Sequence, residues 1–172
     1  KRIINATQQF AKLPGDALYR SILKITGQRP FAGYYTYNST VIDTGDKAGF
    51  PLLDTASLKE ELMLAHVPDN TGNWWTGVGL CNPNAYPVSL VAAPYDYDGM
   101  RMDGYEEKIP LKPGAYTVFT MAELFSGGLI PEISFVKFFP EDRSGAAIGG
   151  FYLYGNKKDG KGSVESLSGA NM

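Results

Sequence analysis

Apolar residues in this chain come in short runs of four to eight, broken at close intervals by glycine, proline, asparagine and aspartate. Several runs alternate apolar and polar positions with period two, the signature of a half-buried β-strand. The pattern predicts strands at Ser21–Ile25, Gly33–Tyr37, Met63–Val67, Trp74–Leu80, Val88–Tyr95, Lys108–Leu111, Ala115–Phe119, Ile133–Phe138 and Gly150–Tyr154. Across Trp74–Cys81, one face carries Trp74, Thr76, Val78 and Leu80, and the other carries Trp75, Gly77, Gly79 and Cys81. Turn chemistry fills the gaps. Asp98-Gly99 predicts a hairpin and Asp103-Gly104 repeats the signal. Lys112-Pro113-Gly114 reads as a type II turn, with proline setting φ and glycine supplying the positive φ that follows. Helix is scarce. Thr120–Leu124 and Ser57–Leu62 each contain a Thr/Ser-x-x-Glu capping box and predict one or two turns. Evenly spaced short strands with turns between them point to an all-β chain. The expected architecture is an antiparallel β-sandwich, immunoglobulin-like or jelly-roll-like.

The chain also repeats itself. Pro30–Asn38 (PFAGYYTYN) resembles Ile148–Asn156 (IGGFYLYGN); setting Gly33 on Gly150 aligns the tyrosines at an offset of 150 − 33 = 117. Upstream, Ser21–Ile25 corresponds to Ser134–Phe138, and Phe10–Leu13 to Met121–Leu124. The offset drifts downward there, as loop insertions between retained strands would make it. A period above 100 residues has the size of a domain, not of a solenoid unit of roughly 20–50 residues. Residues 1–55 therefore read as the C-terminal part of one copy and 56–172 as a complete copy, with a boundary near Asp54–Ser57. The two copies either stand as separate modules or pack as one continuous sandwich. The second is preferred, since half a sandwich exposes open edges. The first copy has no counterpart of the Trp74-Trp75 strand. Lys157–Ser163 reads as a mobile loop, and the chain, starting without Met, as a fragment of a longer array.

Composition narrows the function. With 44% hydrophobic residues the chain can build a core, and a net charge of −2 gives no electrostatic footprint for nucleic acid or an anionic membrane. No apolar run is long enough for a membrane-spanning helix. One histidine, His66, and one cysteine, Cys81, are too few for the common zinc sites or an intrachain disulfide. His66 lies in an apolar stretch and reads as structural, bonded to a backbone carbonyl. No serine sits in a nucleophile elbow, and no Gly-Lys-Ser/Thr phosphate loop is present. Asn5 and Asn38 fit glycosylation sequons.

Three features carry candidate binding chemistry. Trp75 lies beside Gly77 and Gly79, which makes it either an aromatic platform for a sugar ring or a packed junction residue. Tyr35 and Tyr37 correspond to Tyr152 and Tyr154 in the second copy, each pair on one strand face. They form either a carbohydrate or peptide surface or half-buried strand positions. Asp96, Asp98 and Asp103 resemble part of a calcium loop, although Glu106 and Glu107 fall at the wrong spacing for an EF-hand and two Asp-Gly hairpins explain the same residues.

The segment His66…Asn73-Trp74-Trp75-Thr76-Gly77-Val78-Gly79-Leu80-Cys81-Asn82-Pro83, with Val88-Ser89-Leu90 and Tyr95-Asp96-Tyr97-Asp98-Gly99, resembles a repeat domain of bacterial extracytoplasmic proteins. Leu111–Gly114, Ala122–Phe125 and Gly150–Gly155 continue the match, which covers most of Met63–Gly155. Cys81 stands where that pattern has an aliphatic residue, and the polar tail after Gly155 also departs from it. The resemblance implies a β-sandwich module of a secreted or surface-attached protein and transfers no catalytic residue. The expected function is a non-enzymatic structural or adhesion module that contacts neighbouring modules, other surface proteins or glycans. The alternative is a carbohydrate-binding module using the Trp and Tyr side chains above.

Overall fold

The computed structural model describes residues 26, 34–38, 47–51, 58–67, 74–125, 132–142, 144–156 and 165–167. Among them run ten strands: β1 (Tyr34–Asn38), β2 (Lys47–Pro51), β3 (Leu62–Leu64), β4 (Trp74–Cys81), β5 (Val88–Tyr95), β6 (Glu107–Leu111), β7 (Tyr116–Thr120), β8 (Phe135–Pro140), β9 (Gly149–Asn156) and β10 (Glu165–Leu167). A single helical turn, α1 (Met121–Leu124), follows β7. Every strand pairing is antiparallel. One sheet has the order β10-β9-β4-β7 and the other β3-β8-β5-β6, while β1 and β2 form a separate hairpin. The fold is an all-β antiparallel sandwich. Among the described residues no helix is long and apolar enough to cross a membrane, which does not bear on β-barrels.

Alternation explains why the two sheets face each other. On β4 the even positions Thr76, Val78 and Leu80 are buried against the opposite sheet. From that sheet β5 sends Val88, Leu90 and Ala92 inward, β6 sends Ile109 and Leu111, and β8 sends Val136 and Phe138. The registers Leu90↔Ile109 and Ala92↔Phe138 put these residues on one face. At the end of the sandwich Met121 of α1, with Phe125, Ile133, Ala146 and Ile148, completes the core. Thr120 caps α1 through the expected capping box: its hydroxyl accepts from the Glu123 N–H, and the Glu123 carboxylate accepts from the Thr120 N–H. Pro94 sits in a central strand without penalty, because β5 pairs with β6 only as far as Ala92.

Ser57–Leu62 departs from expectation. Its described part, from Leu58 onward, is not helical. The Lys59 carbonyl accepts from the Ile148 N–H at 2.9 Å, and Leu62–Leu64 pairs with β8. Sheet pairing across the fold outweighs a local capping signal of one turn. Ser21–Ile25, Phe10–Leu13, the boundary at Asp54–Ser57 and the loop at Lys157–Ser163 lie outside the described residues.

The two segments matched in sequence also pair in equivalent registers. In the first hairpin Tyr35 pairs with Phe50 and Tyr37 with Ala48. In the second, Tyr152 pairs with Leu167 and Tyr154 with Glu165. All four positions of the first pairing shift by 117 to give the second. The two hairpins therefore share one register and one loop length. Their outer strands, β2 and β10, run close to each other.

Candidate functional site

The connection from β5 to β6, residues 96–106, is the most elaborately held loop of the described structure. Asp96 organises its first half. One oxygen of its carboxylate accepts from the backbone N–H groups of Asp98 (3.0 Å) and Met100 (2.8 Å). The Asp96 N–H donates to the Met100 carbonyl and the Gly99 N–H to the Asp96 carbonyl. Gly99 turns the chain at φ +77°, open to glycine at no steric cost. In the second half, Gly104 (φ +86°) turns the chain again. The Glu106 carboxylate accepts from the Gly104 N–H at 2.8 Å and from Arg101 Nε at 2.9 Å. Backbone N–H groups of Glu106 itself and Gly104, with the Arg101 guanidinium, hold the Glu106 carboxyl below the usual carboxylate range. Arg101 also bridges to Tyr95 and lies over the Phe139 ring, 5.9 Å from its centroid. Phe139, Val91 and Ala93 are buried on the outer face of the β3-β8-β5-β6 sheet.

This fixed loop presents large apolar groups to water. Tyr97 and Met100 are each 65% exposed and Tyr105 52%. They are three of the five large exposed hydrophobic side chains among the described residues, the others being Tyr86 and Val118. Asp96, Asp98, Asp103 and Glu106 stand against one cation, Arg101.

Asp96, Asp98 and Asp103 are not brought together as calcium ligands. Asp96 is spent on the backbone of its own turn, and Asp103 faces Arg101 at 3.6 Å. Among the described residues no three His, Cys, Asp or Glu side chains converge to hold a metal ion.

Trp75 is half-buried on β4. Its indole lies over Gly77, with Cζ3 3.2 Å from where a Cβ there would sit. Gly79 is covered from the neighbouring strands: Phe151 Cε1 and the Tyr116 hydroxyl come within 2.6 and 2.7 Å of the same point. Phe151 and Tyr116 stack at 6.2 Å between centroids. The two glycines thus form the floor of a half-buried aromatic strip on the outer face of the β4 sheet. Tyr152 is on the opposite face, packed against the core, so Trp75 and Tyr152 share no surface. Tyr154 pairs with Thr76 on β4, and Tyr35 and Tyr37 lie on β1, with side chains outside the description. The core-side cavity beside Tyr152 measures about 20 Å³ and is lined by Leu62, Leu64, Val78, Leu80 and Phe138. That is the space of roughly one water or methyl group, far below a sugar ring.

His66 is exposed just beyond β3, not enclosed in an apolar strand. Burial pushes the Cys81 thiol up, only partly opposed by a hydrogen bond with the Gly149 backbone, so a thiolate nucleophile is disfavoured there.

Sequence reasoning missed Asn82. It is fully buried, yet every polar atom is used. Its Nδ2 donates to the carbonyls of Tyr86 (2.8 Å), Leu111 (3.2 Å) and Lys112 (3.2 Å). Its Oδ1 accepts from the Asn84 N–H and Asn84 Nδ2, and Asn84 Nδ2 also donates to the Ala147 carbonyl. One amide ties the end of β4 to the Lys112–Ala115 turn, where Gly114 has φ +64° as a type II turn requires.

No family model, no curated protein and no solved structure matches this chain at a significant level.

Proposed function

We propose that this chain is a non-enzymatic structural and adhesion module of a secreted or surface-exposed bacterial protein, and that it contacts a protein partner through residues 96–106. The observation that carries the reading is Tyr97, Met100 and Tyr105 exposed on a loop locked by Asp96 and by the Arg101–Glu106 pair. Tyrosine and methionine give large contact area, and a loop already fixed loses little entropy on binding. The bacterial envelope setting rests on the sequence resemblance.

The test is adherence of beads coated with the chain to immobilised matrix proteins, envelope proteins and glycans. The triple variant Tyr97→Ser, Met100→Ser, Tyr105→Ser, with circular dichroism confirming the fold, is expected to reduce protein adherence about thirtyfold or more, the scale of one interface hot spot. Unchanged adherence of the folded triple variant refutes the loop. A second reading, carbohydrate binding, is favoured by the strip of Trp75, Phe151 and Tyr116 on one sheet face. It predicts glycan binding that survives the loop substitutions and is lost in Trp75→Ala.

A further inference from the structure

The shared register of the two hairpins says more than that a segment recurs. In the second hairpin β9 has neighbours on both sides: β10 on one edge and β4 on the other, the latter paired along all eight residues from Trp74↔Asn156 to Cys81↔Gly149. In the first hairpin β1 has β2 in the place of β10. Among the described residues β1 pairs with no other strand. The chain contains only two tryptophans, Trp74 and Trp75, so no second strand of the Trp-Trp-Thr-Gly type is present in its sequence. The original β4 is already occupied on both edges, by β9 and β7. The first hairpin approaches the sandwich through β2, which runs close to β10.

We infer that the edge of β1 that β2 leaves unpaired is a docking site for an extended strand of the Asn73–Asn82 type, supplied by another module and added in the register that β4 uses on β9. The equivalence fixes that register. Val78 pairs with Tyr152 and Gly77 with Leu153 on β9. Shifting by 117 puts the donor's Val78 position opposite Tyr35 and its Gly77 position opposite Thr36. The occupant's chemistry follows from the same pairing. β9 meets a strand in which glycines alternate with apolar residues, and the rings of Trp75 and Phe151 fill the space over Gly77 and Gly79. Tyr34 corresponds to Phe151 and supplies the matching ring in sequence. A strand of charged residues lacks the glycine floor, and each proline removes a backbone donor. Backbone hydrogen bonds would give affinity, and the aromatic-on-glycine fit would give specificity, as in strand addition generally. The inference rests on the repeat and not on the 96–106 loop, so either can be refuted while the other stands.

The experiment uses the intact chain and a synthetic peptide of residues 72–82 carrying Cys81→Ser, with terminal lysines for solubility. Hydrogen exchange at residues 34–38 is read with and without peptide. The expected result is slowing by about tenfold or more at β1, with no change at β9. A peptide with Gly77→Pro and Gly79→Pro, the positions whose N–H groups face the β9 side of β4 while the even positions face β7, is expected to give none. A photo-crosslinker at the Val78 position of the peptide is expected to label Tyr35 or its immediate neighbours. Three results would each overturn the inference: β1 already protected in the chain alone, equal protection by the proline peptide, or crosslinks concentrated on β7 or another edge.

Discussion

Replacing Asn82 tests whether one buried amide holds the sandwich end together. Asn82→Leu keeps the branched outline of the side chain at a somewhat larger volume and removes its side-chain hydrogen bonds, while the residue 82 N–H still donates to the Ala115 carbonyl. The Leu111 carbonyl, paired with Val88 across β5 and β6, loses its second donor at a cost of about 0.5–1.5 kcal/mol. The Tyr86 and Lys112 carbonyls lie nearer water and lose about 0.5–1.5 kcal/mol each. Burying a leucine side chain returns about 1.5 kcal/mol. The Asn84 N–H loses its acceptor at a similar cost of about 0.5–1.5 kcal/mol, so the net expectation is a loss of about 0.5–4.5 kcal/mol, or roughly 1–18 °C in Tm for a chain of this size. Asn82→Asp separates the charge effect from the hydrogen-bond count. Its carboxylate would face the same three carbonyl oxygens, so the folded state favours the protonated acid. A folded-state pKa raised above the unfolded value of about 3.9 makes the folded state bind the extra proton, and stability then falls as pH rises. The gap between Asn82→Asp and the parent chain should therefore widen from pH 4 to pH 8, while the Asn82→Leu gap stays flat. Urea unfolding followed by the fluorescence of Trp74 and Trp75 measures both, with the m-value held constant as the check on compactness. An Asn82→Leu cost below about 0.5 kcal/mol, the scale of an ordinary surface change, would refute the reasoning. So would a pH-independent Asn82→Asp gap.

Further outcomes follow from the same geometry. Gly150→Ala would place a Cβ 2.9 Å from the Gly79 carbonyl oxygen and 3.0 Å from Leu62 and Leu80, so chemical denaturation should show a loss of about 1–3 kcal/mol. The Glu106 carboxyl is held low, so its contribution is complete above the unfolded glutamate value of about 4.3 and is lost as pH falls through the lower folded value. Amide exchange at Gly104, corrected for its intrinsic pH dependence, should lose protection over that acid window in the parent chain. In Glu106→Gln the low protection should persist at all pH values. Cys81, buried and raised, should react with a thiol reagent at pH 7.4 at least about tenfold more slowly in the folded chain than in urea.

The strands were legible wherever period-two alternation ran for five residues or more. Val88–Tyr95 is β5 to the residue, and the two faces of Trp74–Cys81 were separated from each other by alternation, although which of them meets the core was not. β2 and β10 were not legible. Lys47-Ala48-Gly49-Phe50-Pro51 and Glu165-Ser166-Leu167 carry almost no β-branched residues and become strands through their partners. Leu58–Leu62 failed in the opposite sense, with a local helix signal losing to pairing with β8 and Ile148. Of the site, the Asp-Gly turns were readable because turn chemistry is local. Asn82 was not, since its Leu111 and Lys112 partners lie 29 and 30 residues away. Nor was the exposure of Tyr97, Met100 and Tyr105. A tyrosine in a turn and a tyrosine in a strand look alike until the loop is seen to stand clear of the sheets.

The common register of the two hairpins also bears on how such a gene can change. Joining Asn38 directly to Asn156 would delete residues 39–155, a stretch of 117, and leave β1 facing β10 with Tyr35 opposite Leu167. The reverse exchange would insert the same length. Either product keeps a hairpin of unaltered pairing and loop size at the junction, so unequal recombination between these stretches would change the length by one whole unit of 117 residues and leave the register there intact.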